Sequence, residues 1–350
     1  MRSDSALRRA LLRWYRENAR DLPLRRTRDP YAILVAEVAL QQTRIRLGAP
    51  FLRRFLRQFP TVEKLAGAGE DEVLRAWEGL GYYRRARLLR EAAREIVLRH
   101  RGKVPETFEA LRDLPGVGPY TAGAVASIAF GLRVPAVDGN AARVLSRLFL
   151  VPSPVSSGAG LREYREIAAR LIDPEDPGAF NQALMELGAL VCKPRRPRCG
   201  ACPLSKRCKA FKGEKVAKFP PPAPRPALPE VAVAFALVER QGRVLAVRRG
   251  RGALLAGLWG LPGGEVRTEE SPEETLAHHL GRYGLRLKTA REVDRRRKEF
   301  SSRVWDARVF ACSVAGRAKR TEHARWFGPA DRAKVPFVPF QRELLEARRP

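Results

Sequence analysis

The sequence lacks the long apolar stretch that a membrane-spanning helix requires. Its 350 residues contain no apolar run of roughly 18 residues, the shortest stretch typical of such helices. Residues 1–20 are amphipathic and rich in arginine, but they have neither the apolar block of a secretory signal nor a small-residue cleavage site, and they include Asp4 and Glu17. We therefore expect residues 1–20 to form the first helix of a cytoplasmic protein.

Acidic side chains are scarce relative to basic ones. The chain has 38 Asp and Glu residues against 67 Lys and Arg residues, which gives a net charge of +29 spread along its whole length. A field of this sign concentrates polyanions, and the guanidinium groups that supply most of it bind phosphate oxygens in pairs. Nucleic acid is therefore the first partner to expect. An anionic membrane surface, or solubility without any partner, would also account for the charge.

Cysteine is rare, and its placement argues against a disulfide framework. Four of the five cysteines follow the spacing C-x6-C-x2-C-x5-C within one short stretch, whereas the disulfides of secreted domains are spread along the chain. Four thiolates so close together can surround one metal centre. Zinc is one candidate, although zinc ribbons usually carry two C-x2-C knuckles, and the single nested knuckle here suits a [4Fe–4S] cluster better. These four residues are Cys192, Cys199, Cys202 and Cys208, whereas Cys312 lies apart and is interpreted as a core thiol.

The chain divides into three parts by composition. Apolar residues recur every three to four positions through residues 1–212, which predicts an almost entirely helical unit. A proline-rich segment at 215–230 predicts an extended linker. Beyond it the pattern changes and predicts a smaller α+β unit over 231–350. Its predicted elements are strands at 231–238, 243–249 and 303–314 and helices at 271–283 and 339–348.

A glycine-rich turn joins two of the predicted helices. The sequence LPGVG places Gly116 and Gly118 in this turn, where free backbone N–H groups and the start of the next helix can bind a phosphate without side chains. On its own the motif is an ordinary helix–turn–helix connection. Asp138 follows at the start of the next helix, where an aspartate most commonly acts as an N-cap. A hairpin, a helix and then this aspartate are the pattern of helix-hairpin-helix DNA glycosylases, in which the carboxylate faces the deoxyribose of a flipped nucleotide.

One carboxylate interrupts an otherwise apolar helix. Residues 31–40 are apolar except for Glu37, and burial of a carboxyl group raises its pKa. A carboxylic acid that stays protonated near neutral pH is the general acid required to protonate a leaving purine. A glutamate held by backbone donors at a helix–helix contact is the structural alternative.

Six segments together resemble MutY-type adenine DNA glycosylases, namely EVALQQT, GLGYY, LPGVGPYTAG, VDGN, FNQALMELGALVC and the cysteine frame. The resemblance covers residues 1–212 almost continuously and continues more weakly to about residue 345. It implies a multidomain protein, with an all-α helix-hairpin-helix glycosylase core that carries a [4Fe–4S] loop, followed by a smaller α+β Nudix-like domain. The implied boundaries are 1–214 for the helical domain, with a six-helix barrel at about 29–134 and an iron–sulfur module made of about 1–28 and 135–214, then the linker at 215–230 and an 8-oxoguanine recognition domain at 231–350.

The resemblance also implies a function. Such enzymes act in base excision repair and remove adenine mispaired with 8-oxoguanine or guanine in double-stranded DNA. A [4Fe–4S] cluster would be the cofactor, and we expect a monomer in the bacterial cytoplasm, bound to the nucleoid through DNA and without a membrane partner. Tyr120 stands where related endonuclease III-type enzymes carry the lysine that cuts the strand. This implies a monofunctional glycosylase without strong AP-lyase activity.

Individual roles follow from the matched positions. Glu37 corresponds to the residue that protonates adenine and later activates water, and Asp138 corresponds to the carboxylate that stabilises the sugar cation. The other implied contacts are the bracing residues Tyr120 and Asn140, the adenine contacts Gln182 and Arg25, and the wedge and 8-oxoguanine contacts Gln42, Thr43, Leu80, Tyr82, Phe300 and Ser301.

The sequence departs from the family pattern at several positions. Ser302 replaces the histidine usual after Phe-Ser, which weakens the expected preference for 8-oxoguanine over guanine, and Leu24 replaces a tryptophan near the adenine pocket. In the Nudix-like unit Glu270 fits the Nudix box, but other residue types occupy the box's Arg-Glu and Glu-Glu positions, so we expect neither a magnesium site nor nucleotide hydrolysis. Those positions hold His278, His279, Arg282 and Tyr283. The basic run RRRK at 295–298 is interpreted as a solvated charge run that could also hold phosphate.

Three other functions remain compatible with the sequence. Within the superfamily, the chain could be a thymine or uracil mismatch glycosylase, or a bifunctional enzyme for oxidised pyrimidines. From a different class, it could be a non-catalytic sensor of DNA damage, although the presence of both Glu37 and Asp138 argues against a sensor.

Overall fold

The computed structural model divides the chain into two compact units. The first unit comprises Met1–Gly67 and Leu88–Arg225, and the second comprises Ala68–Arg87 and Pro226–Pro350. This grouping is by packing, and the domain boundaries expected along the sequence stay predictions. Within the described part, no helix is both long enough and apolar enough to cross a membrane. The described residues are 2–22, 25, 27–41, 45–155, 157–222, 227–318 and 321–348.

Helices make up the first unit, as the apolar periodicity predicts. Their starts are set by local sequence, because Asp29 caps the helix that begins at Pro30, a residue with no N–H to lose at that position. Asp176 and Pro177 begin another helix in the same way. In chain order, and counting the two that start in the second unit, the helices are α1 (Arg2–Asn18), α2 (Pro30–Ala39), α3 (Ile45–Gln58), α4 (Val62–Gly67), α5 (Glu70–Ala76), α6 (Tyr83–His100), α7 (Phe108–Asp113), α8 (Pro119–Phe130), α9 (Gly139–Phe149), α10 (Gly158–Leu171), α11 (Pro177–Leu190) and α12 (Lys209–Lys212).

A hydrophobic core of this unit lies between α1, α9, α10 and α11. Leu11, Leu145 and Phe180 are fully buried in it, and an apolar side chain of this size contributes about 1.5–3 kcal/mol when it is removed from water. Cys192, Cys202 and Cys208 pack against the same core. The core therefore supports both the start of α9 and the cysteine loop.

The glycine-rich turn joins α7 to α8 as a helix-hairpin-helix. Gly116 has a φ of +75°, in the left-handed region that glycine tolerates, and a Cβ at this position would lie 2.7 Å from the Cβ of Leu88. Gly118 is the N-cap of α8, and Pro119 begins the helix. The backbone N–H groups in the first turn of α8 have no partner within the helix, and they lie at the hairpin.

The second unit combines strands with helices. Its strands are β1 (Glu230–Leu237), β2 (Glu239–Arg240), β3 (Arg243–Arg248), β4 (Trp259–Gly260), β5 (Gly263–Glu265), β6 (Leu285–Glu299), β7 (Val304–Gly316) and β8 (Ala324–Phe327), and its further helices are α13 (Pro272–Gly281), α14 (Pro329–Arg332) and α15 (Pro339–Ala347). One sheet has the order β5-β1-β7-β6, in which β1 and β7 run parallel, and in the other sheet β3 pairs with β2, β4 and β8. The predicted fold class, a helical part followed by a smaller part with sheets, is confirmed.

The long strand β6 is absent from the sequence-based prediction. Its basic run at 295–298 lies in an antiparallel ladder with β7, and the interpretation as a solvated charge run missed this pairing because the run has no apolar alternation. Carboxylates on β1, β6 and β7 compensate its charge. The ion pairs are Arg295–Asp306 at 2.7 Å, Arg296–Asp294 at 2.9 Å and Arg297–Glu230 at 3.3 Å.

Candidate active site

Glu37 lies on α2 among apolar side chains, on a helix that packs against α8. Only 9% of Glu37 is exposed, and the hydroxyl of Tyr120 donates a hydrogen bond to its Oε2 at 2.6 Å. Burial raises the pKa of Glu37 to about 7, against an opposing hydrogen bond from Tyr120 and with a further rise from the charge of Asp138. A large fraction of Glu37 is therefore protonated near neutral pH, as a general acid requires.

Asp138 lies at the start of α9 and caps it. Its Oδ1 accepts a hydrogen bond from the backbone N–H of Ala141 at 2.7 Å, and its Oδ2 accepts one from Nδ2 of Asn140 at 2.8 Å. Burial raises the pKa of Asp138, while these donors and the charge of Arg143 act in the opposite direction. The N-cap role is thus confirmed, and the donors that create it also favour the ionised carboxylate.

Glu37, Tyr120 and Asp138 form one group of interacting side chains. The charge of Asp138 acts on Glu37, and both carboxylates add to the rise that burial causes in the pKa of Tyr120. Tyr120 and Asp138 are only half-buried, so solvent reaches the group. Two carboxyl groups in unlike surroundings can hold one proton and one negative charge at the same pH. Cleavage of a glycosidic bond requires this combination, an acid at the leaving group and a negative charge near the sugar.

Both predicted adenine contacts interact with Tyr15. The Tyr15 hydroxyl donates to Oε1 of Gln182 at 3.1 Å, and the guanidinium of Arg25 lies 5.4 Å from the centre of the Tyr15 ring. Arg25 also donates to both carboxylate oxygens of Glu186, at 3.0 and 2.6 Å. Burial alone would raise the pKa of Glu186, but hydrogen bonds from Arg20 and Arg25 lower it to about 2. Sequence reasoning missed Glu186, although an acidic residue inside the apolar stretch FNQALMELGALVC was a signal.

Asn181 was also missed, and it fixes the segment that leads to Asp138. Its side chain is fully buried. Its Nδ2 donates to Oγ of Ser127 and to the carbonyl of Val134, both at 2.9 Å, and its Oδ1 accepts from the backbone N–H of Ala136 at 3.1 Å. Because two of these partners, Val134 and Ala136, lie within four residues before Asp138, Asn181 holds the segment that leads into α9. An asparagine in a helical stretch carries no sequence signal of such burial.

Arg143 connects Asn140 to the cysteine loop. Its Nη2 donates to Oδ1 of Asn140 at 2.8 Å, and its Nε donates to the carbonyl of Cys192 at 2.8 Å. Gly188 of α11 lies directly against Asn140, since a Cβ at Gly188 would be 2.7 Å from the Cβ of Asn140. Asn140, which donates to Asp138, is therefore fixed by both a hydrogen bond and a close backbone contact.

The predicted wedge and 8-oxoguanine contacts lie in the second unit wherever the structure describes them. Leu80 and Tyr82 belong to the turn between α5 and α6, and 47% of Tyr82 is exposed. Phe300 and Ser301 lie in the turn between β6 and β7, where Ser301 is exposed and the Phe300 ring lies 4.9 Å from that of Trp305. Three further predicted positions lie outside the described residues, namely Gln42, Thr43 and Leu24.

The clustered cysteines line one small cavity of the first unit, and Arg147 lines it with them. The Nη1 of Arg147 lies 3.4 Å from Sγ of Cys192 and donates to the carbonyl of Lys193 at 2.7 Å. Burial raises the pKa of Cys202 to about 11, and the other thiolates add to this rise, so four thiolates here need a cationic centre. Within the described ranges, no three Cys, His, Asp or Glu side chains are placed to hold a single metal ion. A cavity lined by four thiols, without a carboxylate or imidazole in its lining, has the donor set that a four-thiolate zinc ion and an iron–sulfur cluster share.

The Arg-Glu positions of the Nudix box lie on α13 and hold two histidines. The rings of His278 and His279 lie 5.7 Å apart at right angles. Burial lowers the pKa of His279, and the charges of Arg282 and His278 lower it further. Glu270, the acidic box residue that remains, accepts a hydrogen bond from the hydroxyl of Thr275 at 3.2 Å. The absence of nucleotide hydrolysis stays a prediction.

Comparison with known families assigns a class to both parts of the chain. Residues 35–163 match the family described as HhH-GPD superfamily base excision DNA repair protein, and residues 233–347 match the NUDIX domain. The hairpin and Asp138 lie within the first match. The fold and the site therefore define a helix-hairpin-helix protein of base excision DNA repair with a Nudix-like domain.

Individual relatives narrow this class. The chain is 46% identical over 215 residues to adenine DNA glycosylase of Homo sapiens, which covers 59% of this chain and 39% of that protein. It is 36% identical over 332 residues to the adenine DNA glycosylase of Mus musculus, and this match covers 80% of this chain and 64% of that protein. The chain thus spans about two fifths to two thirds of the length of these relatives. A solved structure of a thermostable thymine-DNA glycosylase matches with a TM-score of 0.56 and 31% identity, over 61% of this chain and 98% of that one. The chain belongs to the MutY-type family of the HhH-GPD superfamily, which confirms the resemblance.

Proposed function

We propose that the chain is a monofunctional DNA glycosylase that acts as a monomer in base excision repair in the bacterial cytoplasm. Its substrate would be double-stranded DNA in which adenine is mispaired with 8-oxoguanine or guanine, and it would hydrolyse the bond between adenine and the sugar. The observation that carries this proposal is the interacting pair of Glu37, with a pKa of about 7, and Asp138, with its hydrogen-bond donors. The names of the relatives in human and mouse support the same base.

The reaction steps follow from the two environments. A mispaired adenine costs less to unstack and flip out than a paired one. Protonated Glu37 donates its proton to a ring nitrogen of adenine as the glycosidic bond breaks, and ionised Asp138 stabilises the cationic sugar that forms. The Glu37 carboxylate then takes a proton from the water that adds to the sugar, which regenerates the acid. Tyr120 orients Glu37 and Asn140 orients Asp138 through their hydrogen bonds.

We assign recognition of the base opposite adenine to two turns of the second unit, and we keep Gln42 and Thr43 as contacts that the family resemblance implies. The exposed ring of Tyr82 and the position of Phe300 and Ser301 at the end of a hairpin support this assignment. Ser302 stands where the family carries histidine, and the loss of this side chain implies weaker discrimination between 8-oxoguanine and guanine.

Tyr120 argues against strand cleavage. A bifunctional enzyme needs an amine that forms a Schiff base with the sugar, whereas the Tyr120 phenol donates to Glu37 and burial raises its pKa well above the usual value. We expect no covalent protein–DNA adduct when the protein is incubated with abasic product DNA and borohydride. An endonuclease III-type enzyme serves as the positive control, and a trapped adduct with this chain would overturn the monofunctional assignment.

We assign a [4Fe–4S] cluster to the cysteine cavity. When bound, the cluster supplies the cationic centre that keeps Cys192, Cys199, Cys202 and Cys208 as thiolates and ties residues 192–208 into one loop. We expect the purified protein to contain about four iron and four sulfide ions per chain, and Cys202→Ser to lose both together with the visible absorption. Cys312→Ser, outside the cavity, is the matched control and should retain them. One zinc ion without sulfide would contradict the assignment.

Release of the free base under single-turnover conditions tests the function. Duplexes containing 8-oxoguanine·A, G·A, G·T and G·U mispairs are compared, and we expect adenine from the first two and no base from the others. Release of thymine or uracil would assign a different mismatch glycosylase. Tight binding of the 8-oxoguanine·A duplex without release of any base would assign a damage sensor.

A further inference from the structure

The turn that carries Leu80 and Tyr82 has an unusual backbone. Gly79, Gly81 and Tyr82 have φ values of +96°, +68° and +47°, and a left-handed conformation costs a non-glycine residue about 1–2 kcal/mol. The indole N–H of Trp77 donates to the carbonyl of Gly81 at 3.1 Å. A strained turn of this kind keeps one shape only where the surrounding structure fixes its ends.

One end of the turn is fixed by aromatic contacts. The guanidinium of Arg85, in the first turn of α6, lies 4.8 Å from the centre of the Tyr82 ring and 5.9 Å from the centre of the Trp77 ring. Such cation–π contacts contribute about 0.5–1 kcal/mol at exposed sites. They hold Tyr82 relative to α6. At the other end, before Gly79, the backbone N–H of Glu78 donates to the carbonyl of Arg75 at 3.0 Å.

Arg342 of α15 adds a side-chain contact at this end through Glu78, the residue directly before Gly79. Its Nε lies 3.1 Å from Oε1 of Glu78, and the two side chains are only 18% and 30% exposed. Its other nitrogens donate to backbone carbonyls, Nη1 to Arg332 at 3.1 Å and Nη2 to Val335 at 2.7 Å. The guanidinium is thus held in one place on the second unit, and it holds Glu78 there in turn.

The same segment has separate contacts at positions remote from the turn. Nη2 of Arg248 lies 2.5 Å from Oδ1 of Asp71 in α5, and Arg87 donates to the carbonyl of Ala256. These contacts lie within the second unit, which contains α5 and the first residues of α6, as far as Arg87. The pair of Arg342 and Glu78 is therefore the described ion pair that reaches the base of the turn itself.

We propose that Arg342 is a positioning residue for recognition of the base opposite adenine. By fixing Glu78, it selects the conformation of Gly79–Tyr82, and α15 thereby contributes to lesion recognition separately from the turn at Phe300. The inference rests on the proposed function, because that function gives Leu80 and Tyr82 their role. Arg342 does not act on Glu37 or Asp138, whose donors lie in the first unit, so its removal should alter selectivity rather than the chemical step.

Arg342→Met and Glu78→Gln test the proposal. Single-turnover release of adenine is measured with 8-oxoguanine·A and with G·A duplexes, and hydrogen exchange is followed at the amides of 78–82. We expect Arg342→Met to lower the ratio of the two rates by about tenfold, the effect of losing one partly buried ion pair, with little change in the G·A rate and faster exchange in the turn. The double variant should lose no more than Arg342→Met alone, since both changes remove one interaction. Arg342→Lys, which keeps the charge, should recover part of the ratio.

Arg308→Met is the matched control, because it removes a half-exposed ion pair with Glu292 in the same unit. It should leave both the rate ratio and the exchange of the turn unchanged. Thermal unfolding shows whether each variant is folded, and Arg342→Lys with the exchange readout tests the contact with Glu78 even if Arg342→Met unfolds. A wild-type chain that releases no adenine would refute the proposed function, whereas exchange would still report on the turn. Two results would overturn the role of Arg342 if the wild type discriminates between the two duplexes. In the first, Arg342→Met has the same rate ratio and the same amide exchange at 78–82 as the wild type. In the second, Arg342→Met lowers the 8-oxoguanine·A and G·A rates by the same factor.

Discussion

Glu37→Gln should abolish the release of adenine while DNA binding persists. The amide has nearly the volume of the acid and can still accept the hydrogen bond from Tyr120, but it cannot give a proton to the leaving base. General acid–base catalysis contributes about 10²- to 10⁴-fold, and we expect the single-turnover rate to fall by at least the lower figure. Affinity for the 8-oxoguanine·A duplex, measured at fixed salt, should match that of the wild type. Retained turnover would overturn the acid assignment.

The same substitution should stabilise the protein at alkaline pH. The pKa of Glu37 rises from a usual 4.5 to about 7 on folding, so between these values the folded state binds a proton that the unfolded chain has released. The free energy of unfolding therefore falls as the pH rises through this window and stays low above it. At about 1.4 kcal/mol per pKa unit, ionisation of Glu37 costs on the order of 3 kcal/mol. In urea unfolding, Glu37→Gln should raise the free energy of unfolding above that of the wild type by more at pH 8 than at pH 5. An equal increase at both pH values would contradict the raised pKa.

The pH dependence of the rate provides an independent check on Glu37. Activity requires its protonated form, so the rate should decline as the pH rises past about 7, the pKa of this group. Tyr120→Phe removes the hydrogen bond that lowers this pKa, and the alkaline decline should therefore move to higher pH. A decline at unchanged pH in Tyr120→Phe would assign the titration to another group.

Asp138→Asn should remove most of the activity without unfolding α9. Asparagine is as good an N-cap as aspartate, and its side-chain oxygen can still accept from Ala141. What is lost is the negative charge beside the developing sugar cation, and removal of one preorganised electrostatic contact typically costs about 10²- to 10³-fold in rate. We expect a loss of at least this size in the release of adenine under single-turnover conditions.

Asp176→Asn separates charge from capping. Asp176 caps α11 by accepting from the backbone N–H of Ala179 at 3.0 Å, so the substitution makes the same chemical change at a helix start remote from Asp138 in the chain. Its rate should stay close to that of the wild type. An equal loss in both variants would show that helix capping, rather than the charge of Asp138, limits activity.

The parts of the site that could be predicted are those with a strong local pattern. Glu37 is conspicuous because its helix is otherwise apolar, and Asp138 because two glycines and a helix precede it. The spacing of the four cysteines is enough by itself to predict that they surround one site. Two helix starts in the first unit also follow a local pattern, since Asp29-Pro30 and Asp176-Pro177 each supply both the cap and the first helical residue.

The parts that could not be predicted depend on partners far apart in the chain. Asn181 and Glu186 lie on a helix whose apolar pattern gives no information about the loops that these side chains bind. β6 was missed because its stability comes from ladder bonds and ion pairs with β7 rather than from apolar alternation. The grouping of 68–87 with the second unit likewise depends on distant residues such as Arg248 and Arg342.

The close approach of Gly188 to Asn140 has a consequence for how substitutions in this chain should be judged. Alanine is a better helix former than glycine, it adds no charge, and a comparison of residue types would rate Gly188→Ala as benign. Its methyl group would nevertheless need the space that Asn140 occupies, and Asn140 could yield only by moving the amide that orients Asp138. A substitution that adds only one methyl group, on a helix that bears no reacting group, can therefore be harmful to this protein.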